Sequence, residues 1–96
     1  MKKTTFYSMV REDGQNIAKL QDGYTDGIFY YYKKASLWFA IHPTNGLAIC
    51  SEYTRKAAAE RATEPAMLER IAAALERQQH AADIFAAAVE KAKGAA

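Results

Sequence analysis

Cysteine is almost absent from this chain of 96 residues, which contains only Cys50. A single cysteine cannot form an intramolecular disulfide or supply a cysteine metal cluster. The two histidines, His42 and His80, have no second histidine at the spacing that metal ligands need. The sequence therefore predicts no metal site, and the lack of a disulfide framework suits a reducing compartment.

Long apolar runs are missing as well. No stretch approaches the roughly 20 residues that a membrane-spanning helix needs. The basic N-terminus, MKKTTFYSMV, lacks the apolar segment and the cleavage site of a signal peptide. These two features predict a cytoplasmic protein that has no membrane partner.

Charge of one sign is not concentrated anywhere in the chain. The 13 basic and 11 acidic residues give a net charge of +2. A strong nucleic-acid binder would carry a dense basic patch, so the weak positive balance argues against that class. The basic residues that remain candidates for contacts with phosphate groups are Lys33, Lys34, Arg55 and Lys56.

Catalytic constellations are also lacking. The glycines lie in isolated turns, so the sequence contains no glycine-rich phosphate loop. Cys50 is interpreted as a small core hydrophobe, since the predicted strand pairing places it and His42 on opposite faces of a sheet. The sequence therefore predicts that the protein is not an enzyme and binds no cofactor.

What the chain does contain divides it into two parts. Residues 1–53 hold all six tyrosines and Trp38, whereas residues 54–96 are rich in alanine and hold one aromatic residue, Phe85. Aromatic residues favour strands and alanine favours helices. This order predicts a single α+β domain over residues 1–96, with a sheet part followed by a helical part. We expect an antiparallel sheet of three to four strands, followed by two or three C-terminal helices packed on one face.

Turn signals place the strands. A first strand is predicted over residues 4–11, before the turn at Asp13-Gly14, and residues 15–21 are ambiguous. Later strands are predicted over residues 28–33, 37–42 and 47–52. Two-residue turns at Lys34-Ala35 and Asn45-Gly46 join them, and Asn-Gly is the strongest short hairpin signal.

Both faces of this predicted sheet are apolar, although an antiparallel sheet in a monomer usually exposes one face to water. We expect the first face to lie under the helices because it is richer in aliphatic side chains. The second face would be covered by the long helix, by another copy of the protein or by a ligand. The first face comprises Ile28, Tyr30, Tyr32, Leu37, Phe39, Ile41, Ala48 and Cys50. The second comprises Phe29, Tyr31, Trp38, Ala40, His42, Leu47 and Ile49, with Tyr31 opposite Trp38.

The helical part contains one stop signal. Thr54 can cap a first helix, and Thr63-Glu64-Pro65 ends that helix and starts the next. The second helix is predicted over residues 65–93, and its apolar seam includes Leu75, Phe85 and Val89. Unbroken, it would be roughly 40 Å long. It therefore either breaks near residues 78–80, or its far half projects and binds another chain.

Residues 27–62, a predicted three-stranded sheet with Trp38 in its middle strand followed by a helix, resemble a DNA-binding layout. It is similar to the arm-binding domains of tyrosine integrases and to the plant ethylene-response type of DNA-binding domain. The resemblance implies a sheet that lies in the major groove. In those families the sheet carries arginine and tryptophan, whereas this chain has mostly phenylalanine, tyrosine, alanine and isoleucine.

The chain as a whole resembles small uncharacterised proteins of mobile elements in Gram-positive gut bacteria. The resemblance implies no activity, and it favours an accessory or regulatory role for such an element. The residues that carry it are Gly27, Tyr30, Tyr31, Trp38, Ala40, Ile41, Gly46, Leu47, Cys50, Thr54, Arg55, Lys56, Ala58, Ala59, Glu60 and Ala62.

Together these features predict a non-enzymatic module for protein interaction or self-association. Its partner would be a second copy of itself, forming a homodimer, or another protein. The candidate contact residues are Phe29, Tyr31, Trp38, Leu75, Phe85 and Val89. The alternative is a weak nucleic-acid-binding accessory protein that uses the sheet face with Lys33, Lys34, Arg55 and Lys56. A steep loss of binding at high salt would favour this alternative.

Overall fold

The computed structural model describes residues 1–94, which form an α+β fold with a five-stranded antiparallel sheet followed by three helices. The strands lie in sequence order, so each strand pairs with the next. The predicted fold class is confirmed, and the sheet has one strand more than the largest number predicted. The elements are β1 (Lys2–Glu12), β2 (Gln15–Thr25), β3 (Tyr30–Lys34), β4 (Leu37–Ile41), β5 (Ala48–Glu52), α1 (Arg55–Ala62), α2 (Pro65–Arg77) and α3 (Gln79–Gly94).

The additional strand is β2, which contains the ambiguous residues 15–21. It pairs with β1 along its whole length, from Glu12 opposite Gln15 to Lys2 opposite Thr25. The turn is Asp13-Gly14, and both residues have positive φ, 50° and 78°. Such a turn matches the right-handed twist of a hairpin. Residues 15–21 have a weak strand pattern of their own, and they form a strand because they pair with β1 along its length.

The second hairpin turns at Ala35-Ser36, with φ of 53° and 73°, and not at Lys34-Ala35 as predicted. The pairing of β3 with β4 consequently shifts by two residues, so Tyr31 lies opposite Ala40 and Trp38 lies opposite Lys33. Because side chains alternate between faces with a period of two, this shift leaves β3 and β4 on their predicted faces.

The third turn is longer than predicted. The backbone N–H of Gly46 donates to the carbonyl of His42 at 2.9 Å, and the pairing then shifts between Ala40 and Ile41. Ala40 lies opposite Cys50, whereas Ile41 lies opposite Ala48, so the chain has a β-bulge between them. The bulge turns Cys50 to the face of Ala40. The prediction that Cys50 belongs to the first face is therefore wrong, as is the prediction that Cys50 and His42 lie on opposite faces, since His42 lies against Phe29 on the same side as Ala40.

The face that packs under helix α1 is the second face. Phe29, Tyr31 and Ala40 form a buried cluster with Ala58 and Ala62 of α1, and four of these five residues are completely inaccessible. The expectation that the first face lies under the helices is wrong, because the small alanines of α1 fit closely against the large rings of the second face. The side bearing Tyr31 is called the convex face, and the side bearing Tyr32 the concave face.

The long β1–β2 hairpin folds across the concave face. Phe6 of β1 stacks on Tyr30 with ring centroids 4.7 Å apart and packs against Tyr32. Gly23 allows β2 to pass close to β3 where the hairpin folds over, because a Cβ at this position would collide with the carbonyl oxygen of Tyr31. The backbone N–H of Met9 then donates to the carbonyl of Gly46 at 2.8 Å. The sheet thus curls back towards its own far edge.

The predicted second helix breaks at Gln78, where φ is −125° and ψ is 45°. The break separates α2 from α3, and α3 packs against β2. Tyr24 of β2 pairs with Tyr31, so strand alternation puts Ala18, which is buried, on the same convex face. The far half of the helix therefore packs on the sheet and does not project.

Candidate functional site

Three of the predicted protein-contact residues are in the core. Phe29 and Tyr31 lie under α1 and expose 3% and 0% of their surface, so the convex face is not a surplus surface at these positions. Phe85 exposes 8% and lies against Gly46. These placements correct the expectation that the three side chains are available to a partner.

Tyr31 is also fixed by a hydrogen bond, since its hydroxyl donates to Asp26 Oδ2 at 2.6 Å. Burial, followed by this hydrogen bond and the charge of Asp26, raises the pKa of Tyr31 above its ordinary value. Burial acts to raise the pKa of Asp26, but the hydrogen bonds from Tyr31, Phe29 and Ile28 outweigh it, and the net shift is downward. This pair joins the β2–β3 connection to the core and has no free group for chemistry.

The other three predicted contact residues, Trp38, Leu75 and Val89, are half-buried. Leu75 lines a groove of about 300 Å³ between α2 and the start of β5, together with Ile49 and Ile71. Trp38 lies on the convex face, far along the chain from Leu75, and Val89 lies on α3. The structure therefore does not gather the predicted contact residues into one surface.

The predicted phosphate contacts are also divided between faces. The Arg55 guanidinium lies 3.9 Å from the ring centre of Tyr24 and 5.7 Å from that of Trp38, and Lys33 pairs with Trp38 across the strands. Lys34 pairs with Leu37 and thus lies on the concave side. Lys56 is exposed on α1. Sequence reasoning missed Tyr24 because its strand was not assigned.

The surplus apolar surface lies on the concave face instead. A cleft of about 600 Å³ opens between the β1–β2 hairpin and the β3–β4 hairpin, beyond the contact of Phe6 with Tyr30. We call it the hairpin cleft. Its volume falls within the range of ligand-binding pockets. The residues that line it are Met9, Val10, Arg11, Glu12, Lys19, Gln21, Tyr32, Lys33, Lys34, Ala35, Leu37, Phe39, Ile41 and Ala48.

The floor of the hairpin cleft is apolar. Leu37, Phe39 and Ile41 follow one another at alternate positions of β4, and the first two are only half-buried. The ring of Tyr32 lies 5.9 Å from that of Phe39 between centroids, which places a second aromatic ring beside this row. Because the hairpin covers the row only in part, apolar surface remains accessible on this face.

The rim of the hairpin cleft is basic. It carries Arg11, Lys19 and Lys34 against one acidic residue, Glu12, whereas Lys33 borders the cleft from a strand position that faces the convex side with Trp38. Lys19 lies 3.6 Å from Glu12, and both side chains are more than half exposed, so this ion pair is weak. Within residues 1–94 the only other ion pair joins Arg61 to Glu52. The charges of Arg11, Lys33 and Lys34 are therefore unpaired in the described chain.

Cys50 and His42 each have a hydrogen-bond partner in the backbone close to them. Burial raises the pKa of the Cys50 thiol, an effect that exceeds the opposing charge of Arg61, so the thiol stays protonated. The Cys50 Sγ is 3.7 Å from the carbonyl oxygen of Ala58, to which it donates. Burial lowers the pKa of His42, whose Nδ1 accepts from the Thr44 backbone N–H at 3.0 Å. Both groups therefore have structural partners.

Residues 1–94 contain no cluster of three or more histidine, cysteine, aspartate or glutamate side chains that could hold a metal ion. In the same range, every helix falls short of the length and apolar character that crossing a membrane requires.

We found no match to the chain among protein-family models, curated proteins or solved structures.

Proposed function

We propose that the protein is a non-enzymatic interaction module and that the hairpin cleft is its binding site. The observation that carries the proposal is an open apolar floor inside a basic rim. Half-buried Leu37 and Phe39 supply apolar surface, and Arg11 and Lys34 supply charge without an acidic partner. A monomer gains nothing from leaving such surface open, which supports a role in recognition.

The partner that fits this chemistry is a protein segment with apolar and acidic side chains. The apolar side chains would remove the floor from water, and the acidic ones would neutralise the rim. A second copy of this chain is a poorer fit, because the acidic residues on the exposed side of α2 alternate with Arg70 and Arg77. We therefore commit to an acidic, apolar segment of another protein.

The test uses a pool of short peptides made of leucine, phenylalanine, aspartate and glutamate in random order. A second pool with lysine in place of the acids is the control for charge. Binding is followed by amide chemical shifts in heteronuclear NMR spectra. We expect the acidic pool alone to shift resonances of β4 and of the β1–β2 hairpin, and to do so less at high salt.

Two charge reversals locate the site. Lys34→Glu changes the rim of the cleft, whereas Lys56→Glu makes the same change on the exposed start of α1. We expect Lys34→Glu to weaken binding of the acidic pool about tenfold and Lys56→Glu to leave it within about twofold. Equal losses in both variants, or no binding by wild type, would contradict the proposal.

A second candidate function is weak nucleic-acid binding at the convex face. The observation that favours it is that Trp38, Tyr24 and Arg55 lie together beside Lys33. Aromatic and arginine side chains can stack on unpaired bases. Trp38 is the only tryptophan, so its emission reports this surface and not the cleft. A mixed-sequence single-stranded DNA that quenches Trp38, with a steep salt dependence, would support this candidate.

A further inference from the structure

The hairpin cleft also constrains the conformation of its partner. We propose that it takes an extended segment that presents apolar side chains at alternate positions, with acidic side chains between and beside them. This inference depends on the proposed function, since it describes the ligand of the same site. It makes a separate claim, because an acidic, apolar partner could also bind as a helix.

The first argument is the spacing of the floor. Leu37, Phe39 and Ile41 form one row along β4, and strand geometry separates successive members by about 7 Å. An extended segment repeats its own side chains at the same distance. Ile41 is only 2% exposed, so the accessible members of the row are Leu37 and Phe39, and two residues of the segment at alternate positions would meet them in register.

The second argument is the shape of the cleft. Its two walls are β-layers, which at their shared end are held together by the stacking of Phe6 on Tyr30 at 4.7 Å. Packed β-layers are about 10 Å apart, and a helix with its side chains is about 10–12 Å across. A helix of this width would need the two walls to move further apart in order to lie between them. A single row of side chains on an extended segment can enter without such a movement.

The third argument is the position of the sheet edges. β1 and β5 are the two edge strands, and residues of both line the cleft, Met9 and Val10 from β1 and Ala48 from β5. Among residues 1–94 one backbone hydrogen bond, from Met9 to Gly46, joins the β1 side to the β4–β5 loop. Backbone groups at such edges are suited to pair with an extended chain, as in strand addition.

The positive charges of the rim indicate which side chains the bound segment would carry between its apolar residues. Arg11 and Lys19 lie on the hairpin side, and Lys34 lies on the opposite side. A segment in the mouth of the cleft would therefore have cations on both sides. Acidic side chains at the intervening positions are within reach of these long, flexible cations.

Two defined peptides of identical composition test the inference. In the first, three leucines stand at positions i, i+2 and i+4 among glutamates, and in the second they stand at i, i+3 and i+4, the spacing of a helix face. Fluorescence anisotropy of labelled peptides measures the dissociation constants. We expect the alternating order to bind at least about tenfold more tightly, because the helical order misplaces one leucine on the floor row.

A matched pair of variants connects the preference to the cleft. Leu37→Asn removes an apolar side chain from the floor, and Leu68→Asn makes the same change at an exposed position of α2. We expect Leu37→Asn to abolish the tenfold preference and Leu68→Asn to retain it, with circular dichroism checking that both variants are folded. Loss of the preference in both variants would place it outside the cleft and overturn the inference.

The outcomes separate this inference from the proposed function. If the helical order binds as tightly as the alternating order, or more tightly, the extended segment is wrong and the interaction site stands. If neither peptide binds at concentrations up to about 1 mM, the proposed function fails together with the inference. Tighter binding of the alternating order that Leu37→Asn abolishes supports both.

Discussion

Replacement of Gly46 by alanine is the most direct test of how the helices are attached to the sheet. Gly46 lies in the β4–β5 loop with φ of 69°, and the ring of Phe85 from α3 covers it. A Cβ at this position would lie 2.8 Å from Phe85 Cζ and closer still to two other ring atoms. Since a methyl group cannot occupy this space, the ring would have to move away from the loop.

The expected cost has two parts. Alanine in the left-handed region is less stable than glycine by about 1–2 kcal/mol. Displacement of Phe85, which is 8% exposed, returns much of a large apolar ring to water and costs about 1.5–3 kcal/mol more. We therefore expect Gly46→Ala to lower the free energy of unfolding by about 2.5–5 kcal/mol, a large fraction of the stability of a small domain.

Gly14→Ala is the matched control. Gly14 has a similar φ of 78°, but no atom lies within 4 Å of where its Cβ would be. This variant should lose only the backbone contribution, about 1–2 kcal/mol. Urea denaturation followed by far-ultraviolet circular dichroism gives the free energies of unfolding of both variants. Equal losses in the two variants would refute the packing of α3 on the loop through Phe85.

Three further predictions concern the core, the last helix and the cleft. Tyr31→Phe removes the hydrogen bond to Asp26 and should lower the free energy of unfolding by about 1–2 kcal/mol at neutral pH. The pKa of Asp26 is lowered in the folded state, so its ionised carboxylate stabilises the fold above the ordinary pKa of aspartate, and this stabilisation is lost as the pH falls below about 4. The free energy of unfolding should therefore fall less steeply with decreasing pH in Tyr31→Phe than in wild type. An unchanged slope would contradict this. Ending the chain after Gln78 removes α3 and the ring of Phe85, so the near-ultraviolet dichroism of a folded core should be lost; a cooperatively folded truncated protein would contradict the packing of α3 on β2. Val10→Phe adds a ring at the wall of the hairpin cleft and should weaken binding of the acidic peptides. The midpoint of its urea denaturation should be the same as that of wild type or higher. Unchanged peptide binding would place the site elsewhere.

Local turn chemistry explains which strands were predictable. The Asp13-Gly14 turn was recognised because glycine and aspartate tolerate positive φ. The Ala35-Ser36 turn was displaced by one residue because neither residue signals such a conformation, and its position depends on the pairing of β3 with β4. Similarly, residues 15–21 have a mixed pattern, and they form a strand because β1 lies beside them. Pairing partners distant in sequence cannot be read from a local window.

The accessible apolar surface does not lie where the sequence predicts it, because Phe29 and Tyr31 are buried under α1 and the hairpin cleft opens on the other face. The sequence shows that both faces of the sheet are apolar. A single layer of helices can cover only one face, so this pattern indicates that something else covers the other. The sequence prediction used aliphatic content to decide which face lies under the helices. In the structure, the size of the helix side chains that meet the sheet decides which face this is. Ala58 and Ala62 are small enough for Tyr31 and Phe29 to pack beneath α1. Sequence reasoning also could not foresee that the β1–β2 hairpin would cover the opposite face.

The size of the side chains along β1 explains why the hairpin cleft stays open. Phe6 fills the space above Tyr30 and Tyr32. The next two residues on the same side of β1 are Ser8 and Val10. Ser8 is completely buried and accepts a hydrogen bond from Gln21 at 3.2 Å, and Val10 lies at the cleft wall. A serine and a valine occupy far less volume than the aromatic ring that precedes them. The layers are thus held together at one end by stacked rings and left unfilled at the other, where Leu37 and Phe39 remain accessible. A chain under pressure for stability alone would gain from a larger residue at position 10, so the small side chain there is consistent with a site kept open for a partner.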